Sequence, residues 1–334
     1  MDQSLLTRLF RSIQGTDDAP LVKVAFSIIE DEKRKGHEKL AEKLITILEG
    51  NLARKPIDTI LPVLKIAKNT NFRIPLDRRY NLPLASPVEK ELLRHEMVLS
   101  AEIEEKINRI ENEYVARERL AHHGLKPKQK ILFYGAPGCG KSMAAERIAY
   151  NIGLPFYKIR FDAIMSSYLG ETASNLKMLF DALKNFPCVV LLDEFDFIGK
   201  ARMDKNQDVG EMHRIVNVLL GLLEEYESDG ILIATTNLEG SLDKALFRRF
   251  DDIIQIPKPD TNAIIGLLKM SLSALKLNEN VKISEIASKM KNFSAALIVK
   301  VANDAAKLSV INNEKDINIG HIEKSLAENQ AFNQ

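Results

Sequence analysis

The spacing of hydrophobic residues changes twice along the chain and divides it into three regions. Up to about residue 124, apolar residues recur every three or four positions, which predicts helices. From about residue 130 to residue 257, short apolar runs alternate with helical stretches, as is typical of βαβ units. Beyond residue 258 the helical spacing returns without strand alternation. The pattern predicts an α/β domain between two helical regions.

The first helical region covers residues 1–75. Its apolar residues form one face of each predicted helix, opposite charged residues. The two sets are Leu5, Leu6, Leu9, Phe10 and Ile13, then Leu40, Leu44, Ile47 and Leu48. We expect an N-terminal all-helical domain, a bundle that recognises a protein substrate or partner.

A proline-rich stretch and a long helix follow, over residues 76–124. Three prolines favour a linker, or an irregular strap across the next domain, at residues 73–87. Residues 88–123 then carry one apolar stripe at helical spacing, and Gly124 ends the predicted helix. The stripe consists of Leu99, Ile103, Ile107, Ile110 and Tyr114. A coiled-coil arm is the alternative, but the stripe covers few heptads, so we favour a helix packed on its own domain.

The middle region, residues 125–257, predicts a five-stranded parallel sheet with helices on both faces. Its apolar runs lie at residues 131–134, 156–160, 188–192, 231–234 and 253–256. Residues 258–334 predict a separate C-terminal helical lid. Its helices are expected at residues 264–275, 283–290, 295–311 and 319–327.

The composition is that of an ordinary globular protein, with 334 residues of which 45% are hydrophobic and 28% charged. A formal net charge of +1 gives no basic field that would gather nucleic acid. No apolar run approaches the roughly 20 residues that span a bilayer, and the N-terminus lacks a signal-peptide pattern. We expect a cytoplasmic protein whose two cysteines, Cys139 and Cys188, are reduced and structural.

A phosphate-binding loop follows the first apolar run of the sheet. It matches the pattern GxxxxGK(S/T), and a helical stretch continues from Met143. The loop consists of Gly135, Ala136, Pro137, Gly138, Cys139, Gly140, Lys141 and Ser142. Backbone N–H groups of such a loop turn towards a polyphosphate, and the positive end of the helix favours the anion. We expect Lys141 to contact the β- and γ-phosphates of ATP and Ser142 to be a ligand of Mg²⁺.

Two carboxylates, Asp193 and Glu194, close the third apolar run. They therefore lie at the carboxyl end of a buried strand, where ligands of open α/β sheets bind. We expect Asp193 to hold Mg²⁺ through a coordinated water and Glu194 to polarise the water that attacks the γ-phosphate. An acidic helix N-terminus is the alternative. The preceding phosphate loop favours the catalytic interpretation.

Asn237 follows the fourth apolar run. An uncharged amide at this point can hydrogen-bond the attacking water or the γ-phosphate without adding negative charge. Asparagine is also common at strand-to-turn junctions for conformational reasons alone. Beside the phosphate loop and the two carboxylates, we interpret Asn237 as a polar sensor of the γ-phosphate.

In this order the motifs resemble the AAA+ superfamily of ATPases over roughly residues 125–330, and most closely the AAA clade that includes katanin and spastin. The segments that carry the resemblance are GAPGCGKS, SSYLGET, VVLLDEFD, HRIVNVLLGLLEE, IATTN, KALFRRFD and FSAALIVKVANDAA. The resemblance implies ATP and Mg²⁺ as ligands. It also implies a ring, usually a hexamer, with ATP bound at each subunit boundary.

An arginine finger supplied to the neighbouring subunit is a further implication of the resemblance. Arg248 and Arg249 occupy the matching segment. A guanidinium over the γ-phosphate stabilises the charge that develops in the transition state. Surface ion pairs with Asp251 and Asp252 are the alternative. The Pro-Gly insertion that many relatives carry between the arginines is absent, so the sequence leaves open which arginine acts.

The segment SSYLGET resembles the pore loop of the same clade. By this resemblance Tyr168, Leu169 and Gly170 line a central channel and contact an extended polypeptide through apolar surface. The alternative is a serine helix cap with Tyr168 as a hydrophobic staple against the domain. A second axial loop is expected at residues 200–210.

The leading hypothesis is an ATP-hydrolysing ring motor that remodels, unfolds or threads a protein substrate. An ATP-switched scaffold that recruits or activates a separate effector is the alternative. A nucleic-acid motor is disfavoured by the neutral charge balance and by the absence of a lid arginine near residue 295. No HExxH run is present, which argues against a fused zinc protease.

Overall fold

The computed structural model divides into two compact units, Met1–Thr70 and Asn71–Gln334. It describes residues 73–77, 80–164, 169–195, 209–237, 247–273, 275–278 and 280–329, with six separate positions between residues 28 and 45. In the first unit the six positions are helical, and Ile29, Ala41 and Leu44 are buried. The other positions of the predicted N-terminal bundle lie outside the described residues, so the bundle stays a prediction.

The second unit is built on a six-stranded sheet. Its strands are β1 (Ala85–Val88), β2 (Lys130–Tyr134), β3 (Phe156–Ile159), β4 (Val189–Leu192), β5 (Ile231–Thr236) and β6 (Asp252–Gln255). The spatial order is β1-β3-β4-β5-β2-β6, and all neighbours are parallel except β1 and β3. The five predicted parallel strands are confirmed. The central strands β4 and β5 are buried at every position, as expected for apolar strands covered on both faces.

Strand β1 corrects one expectation, because it lies within the stretch predicted to be an irregular strap. It pairs antiparallel with β3 at the edge of the sheet. Pro87 is tolerated there because an edge strand can leave one side of its backbone unpaired. We call residues 73–77 and 80–100 the strap, since they run along the sheet edge and continue to the next helix.

The strap is held to the sheet layer by buried polar contacts. The carboxylate of Asp77 is 2% exposed and accepts hydrogen bonds from the backbone N–H of Tyr80, at 2.8 Å, and from the amide of Asn175, at 3.0 Å. A buried charge without partners would destabilise the fold, so these contacts fix the turn of the strap against one helix.

Six helices accompany the sheet among the described residues. They are α1 (Ala101–Val115), α2 (Arg117–His122), α3 (Lys141–Ile152), α4 (Phe161–Ile164), α5 (Leu169–Lys184) and α6 (Val209–Glu224). The buried apolar residues of α1 pack it against α3, so the interpretation as a packed helix is confirmed. Its predicted extent was wrong, because residues 93–100 are not helical and the helical stretch begins at Ala101 and divides after Val115. Gly124, with φ of +70°, follows α2 as the predicted stop. No described helix combines the length and the hydropathy needed to cross a membrane.

The C-terminal helices enclose a hydrophobic core of their own. They are α7 (Thr261–Ser271), α8 (Ile283–Lys289), α9 (Ala295–Ile311) and α10 (Ile319–Asn329), with buried residues that include Leu268, Ile298 and Val301. Helix α9 has the predicted bounds because the Ser294 side chain caps it, accepting from the N–H of Leu297. The expectation of helices alone was wrong: two-residue strands β7 (Lys276–Leu277) and β8 (Asp316–Ile317) form a parallel pair.

Both cysteines are buried. Burial raises the pKa of the Cys188 thiol to about 12, so this thiol is protonated at neutral pH. Its position immediately before β4, at 0% exposure, agrees with the expected structural role.

The burial of α1 generates the first prediction. Ile107→Ala removes a side chain that is 0% exposed and lowers the free energy of unfolding by about 2–5 kcal/mol, because a cavity replaces packed methyl groups. Glu105→Ala, on the exposed face of the same helix, changes it by less than about 0.5 kcal/mol. Urea denaturation followed by circular dichroism measures both values. Equal effects would show that this face of α1 is not packed.

Candidate active site

A cavity of about 500 Å³ opens between four parts of the second unit. They are the predicted phosphate-binding loop, here called the P-loop, the strap, the strand ends and the C-terminal helices. Three strands of the parallel sheet lead into it: the P-loop follows β2, Asp193 follows β4, and Asn237 follows β5. The carboxyl edge of a parallel sheet is where open α/β folds bind ligands. The structure therefore brings the predicted loop, acidic pair and sensor to one cavity.

Three glycines give the P-loop its shape. Gly135, Gly138 and Gly140 have φ values of +140°, +73° and +99°, a region that other residues rarely adopt. A Cβ atom at Gly135 would lie 2.2 Å from the carbonyl oxygen of Ile256, so only glycine fits there. Residues 137–143 of the predicted loop, from Pro137 through Cys139 to Met143, line the cavity.

Lys141 is buried at the base of the cavity, with 7% exposure. Its ammonium group donates hydrogen bonds to the carbonyl oxygens of Gly135, at 2.8 Å, and Ala136, at 2.9 Å. A third bond, at 2.7 Å, goes to Oδ1 of Asn237. The cation is thus held in place by neutral oxygen acceptors of the loop and of Asn237.

Asp193 accepts three side-chain hydrogen bonds. Oδ1 accepts from the hydroxyls of Ser142, at 2.7 Å, and Thr235, at 2.6 Å, and Oδ2 accepts from the ammonium of Lys158, at 2.6 Å. Burial alone would raise the pKa of Asp193, but the hydrogen bonds from Lys158, Thr235 and Ser142 outweigh it and the pKa is lowered. The carboxylate is therefore ionised at neutral pH.

The oxygen atoms of Ser142 and Asp193 suit a magnesium ion. Mg²⁺ prefers hard oxygen ligands and keeps several waters, and a hydroxyl 2.7 Å from a carboxylate at the mouth of a phosphate loop provides such a partial set. These two predicted metal residues are adjacent, and the donor chemistry fits. Magnesium binding itself stays a prediction.

Glu194 has an unusual backbone conformation at the end of β4. Its φ is +55°, which is uncommon for a residue with a side chain, and its N–H donates to Oγ1 of Thr235 at 3.1 Å. The side chain is exposed and lines the cavity. Strained conformations of this kind persist where neighbouring contacts enforce them and are frequent at functional sites. The turn presents the carboxylate to the cavity beside Asp193.

The C-terminal helices touch the P-loop directly. The N–H of Ala296, in the first turn of α9, donates to the carbonyl of Gly138 at 2.9 Å. A Cβ at Gly138 would lie 3.1 Å from Oγ of Ser294, so small residues are needed on both sides of this contact. The small side chains of Ser294 and Ala296 thus let the helix approach the loop.

The apolar part of the cavity comes from the strap and the C-terminal helices. It is lined by Met97, Val98, Leu267, Met270, Ala295 and Val299. The strap also contacts α7 closely, because a Cβ at Gly266 would lie 2.9 Å from Val98. An apolar wall beside a phosphate loop suits a nucleotide base. Sequence reasoning missed the strap residues, Lys158 and Thr235, because only the tertiary fold brings them to the site.

The two predicted arginine fingers do not line the cavity of their own chain. Arg249 pairs with Glu224 at 3.2 Å, whereas Arg248 is exposed and has no ion pair or hydrogen bond with another described residue. The alternative interpretation, ion pairs with the two following aspartates, was wrong. Those carboxylates are used elsewhere: Asp251 accepts from backbone N–H groups, and Asp252 pairs with a lysine at 2.5 Å.

The predicted pore loop is only partly described. Tyr168 lies outside the described residues, as do residues 200–208 of the expected second axial loop. Leu169 and Gly170 form the first residues of α5. The pore assignment therefore stays a prediction.

A glycine loop that holds its lysine beside an acidic strand end and a polar strand end defines a P-loop ATPase site. Residues 131–258 match the family described as ATPase family associated with various cellular activities (AAA). An uncharacterized AAA family ATPase, y4kL of Sinorhizobium fredii, is 33% identical over 299 residues, which cover 88% of this chain and 86% of that protein. The chain belongs to the AAA family of ATPases, and its activity is ATP hydrolysis.

Two further relatives match a shorter part of the chain. The ATP-dependent zinc metalloprotease FtsH of Helicobacter pylori is 31% identical over 217 residues, 63% of this chain and 34% of that protein. The proteasome-activating nucleotidase of Methanoregula boonei is 32% identical over 206 residues, 60% of this chain and 47% of that protein. The chain thus spans less than half the length of these two relatives.

The close approach at Gly135 generates the second prediction. Gly135→Ala lowers the free energy of unfolding by about 2 kcal/mol or more and weakens nucleotide binding, because the new methyl group meets Ile256 and the backbone must shift. Gly221→Ala is the matched control: no atom lies within 4 Å of its Cβ, and alanine in a helix interior stabilises by about 0.5–1 kcal/mol. Thermal denaturation and nucleotide titration test both. Equal stability of Gly135→Ala and Gly221→Ala would contradict the close approach of Gly135 to Ile256.

Proposed function

We propose that this chain is the subunit of a ring-shaped motor that couples ATP hydrolysis to the remodelling of a protein substrate. The observation that carries the proposal is the cavity in which Lys141, Asn237, Asp193 and Glu194 converge. The names of two relatives, an ATP-dependent zinc metalloprotease and a proteasome-activating nucleotidase, connect nucleotide use with proteolysis. This connection favours a protein substrate.

In the proposed mechanism, each polar side chain acts on one part of the triphosphate. Lys141 exchanges its carbonyl acceptors for β- and γ-phosphate oxygens, and Asn237, released from the lysine, holds the attacking water or the γ-phosphate. Ser142 and Asp193 would hold Mg²⁺, which neutralises phosphate charge when bound. Glu194 accepts the proton of the attacking water as general base.

The remaining charge on the γ-phosphate is stabilised from the neighbouring subunit. Arg248 is our choice of finger, because it is exposed and unpaired among the described residues, whereas Arg249 is tied to Glu224. Nη2 of Arg249, the atom that Glu224 holds, would have to give up this carboxylate before binding a phosphate oxygen. The subunits must therefore associate for full activity, and a hexameric ring is the arrangement we propose.

The other parts of the chain take supporting roles in this proposal. Residues 1–75 select the substrate or partner, residues 125–257 form the nucleotide-binding domain, and residues 258–334 form the lid, with residues 76–124 as the connection. The pore loop at Tyr168, which leads into α5, contacts the substrate polypeptide.

Glu194→Gln provides the test of the chemical step. The variant binds ATP as the wild type does, but its turnover falls by a factor on the order of 10² or more, because glutamine cannot accept the proton of the attacking water. Lys141→Ala is the control and loses ATP binding itself. ATP titration and phosphate release measure the two steps separately. Wild-type turnover in Glu194→Gln would contradict the assigned general base.

The same variant tests the protein substrate. Affinity capture of Glu194→Gln with ATP is expected to retain a protein that is absent from the Lys141→Ala capture, and addition of wild-type subunits with ATP is expected to change the conformation of that protein. A captured protein that is unchanged by hydrolysis but gains activity from ATP binding alone would favour the scaffold instead.

Mixed assemblies test the arginine finger. Arg248→Ala lowers turnover by a factor on the order of 10³, since the transition state loses a cationic contact. Arg249→Ala has the smaller effect. Mixing Arg248→Ala subunits with Lys141→Ala subunits restores part of the activity, because an intact cavity then meets an intact arginine at some subunit boundaries. Mixed rings without recovered turnover, or a larger effect of Arg249→Ala, would contradict the assignment.

A further inference from the structure

A third arginine, Arg94 of the strap, reaches the nucleotide cavity within its own chain. It lines the cavity together with the P-loop. Its backbone N–H and its Nε donate to Oε2 of Glu146, each at 2.9 Å, and its Nη2 donates to Oε1 of the same carboxylate. Glu146 lies in the second turn of α3, so the pair joins the strap to the helix that follows the P-loop.

The Arg94–Glu146 pair leaves part of the guanidinium available. Nε and Nη2 are engaged by Glu146, but Nη1 has no hydrogen-bond acceptor among the described residues. The side chain of Arg94 is 59% exposed, whereas that of Glu146 is 12% exposed. The carboxylate therefore anchors the arginine from the protein side, while the Nη1 edge stays accessible from the cavity.

The free edge lies near the phosphate end of the cavity. Glu146 follows Ser142 by four residues in α3, so both side chains project from the same helix face, and Ser142 contacts Asp193. The pKa of Arg94 is raised, mainly by its hydrogen bond to Glu146 and also by the charges of Glu146 and Asp193. Both carboxylates thus favour the charged form of the guanidinium.

We propose that Arg94 binds the polyphosphate of the nucleotide directly, through Nη1, as a cation supplied by the same chain that supplies the P-loop. This inference rests on the proposed nucleotide site. A charge-assisted hydrogen bond from a preorganised guanidinium suits a phosphate oxygen. The contact also couples the strap to nucleotide occupancy, because the residues next to Arg94, Met97 and Val98, line the apolar part of the cavity.

A purely structural role is the competing explanation, and the chain contains a matched pair for comparison. Arg147, the next residue of α3, forms a two-bond pair with Glu104 of α1. That pair joins α1 to α3 in the way that Arg94 and Glu146 join the strap to α3. Arg147 does not line the nucleotide cavity. Loss of either ion pair removes a contact between α3 and a neighbouring element. Only the loss of Arg94 also removes a positive charge from the lining of the cavity.

The experiment compares nucleotide dissociation constants, from fluorescence titration with ATP and ADP, in the full-length wild type and three variants. Arg94→Ala is expected to bind about tenfold more weakly, with KM raised and kcat nearly unchanged, because one charge-assisted bond is lost in both ground and transition states. The difference in dissociation constant between Arg94→Ala and the wild type is expected to decrease at high salt, since the contact is ionic. Arg147→Ala is expected to bind as the wild type does.

The double variant Arg94→Ala/Glu146→Gln distinguishes loss of a phosphate contact from repulsion by an unpaired Glu146 carboxylate. Arg94→Ala alone leaves the largely buried carboxylate of Glu146 without its partner, and this charge would itself repel phosphate. If Arg94 contacts the nucleotide, affinity stays about tenfold weaker in the double variant. Wild-type affinity in Arg94→Ala or in the double variant would overturn the inference. An equal loss of affinity in Arg147→Ala and Arg94→Ala would also overturn it. A wild type that bound no nucleotide would instead refute the proposed site itself.

Discussion

The position of one buried ammonium group determines most of this structure's functional geometry. Lys141 can be buried only because three oxygen acceptors surround it: two carbonyls of its own loop and the amide of Asn237. The loop must therefore curl back on itself, which requires glycine at Gly135, and β5 must lie beside β2 in register. The shape of the loop and the position of Asn237 thus both help to satisfy a single buried charge.

The cavity around that charge has walls from three separate parts of the chain. The P-loop and strand ends form its polar side, and the strap and the C-terminal helices form its apolar side. The wall elements contact one another through short backbone contacts, such as that between Ala296 and Gly138, and through the Arg94–Glu146 pair. A ligand that changes the spacing of these walls would move both the strap and the C-terminal helices. In the motor we propose, this movement is the way in which ATP turnover acts on the substrate.

The sequence predicted the features that depend on local chemistry. The P-loop, the five parallel strands and the bounds of α9 follow from glycines, short apolar runs and the capping serine Ser294. Features that depend on tertiary register were missed. Strand β1 is short and contains proline. Lys158 and Arg94 have the sequence context of ordinary surface charges, and only the fold places each beside a largely buried carboxylate. The choice between Arg248 and Arg249 likewise required knowing that Glu224 lies near one of them.

A structure of the wild-type protein with Mg²⁺ and a non-hydrolysable ATP analogue is the most direct test of the account. We expect the β- and γ-phosphates to replace Asn237 and the loop carbonyls as acceptors for Lys141, with the base between the strap and the C-terminal helices. A nucleotide bound elsewhere, or bound in this cavity while Lys141 keeps its present three acceptors, would contradict the central claim.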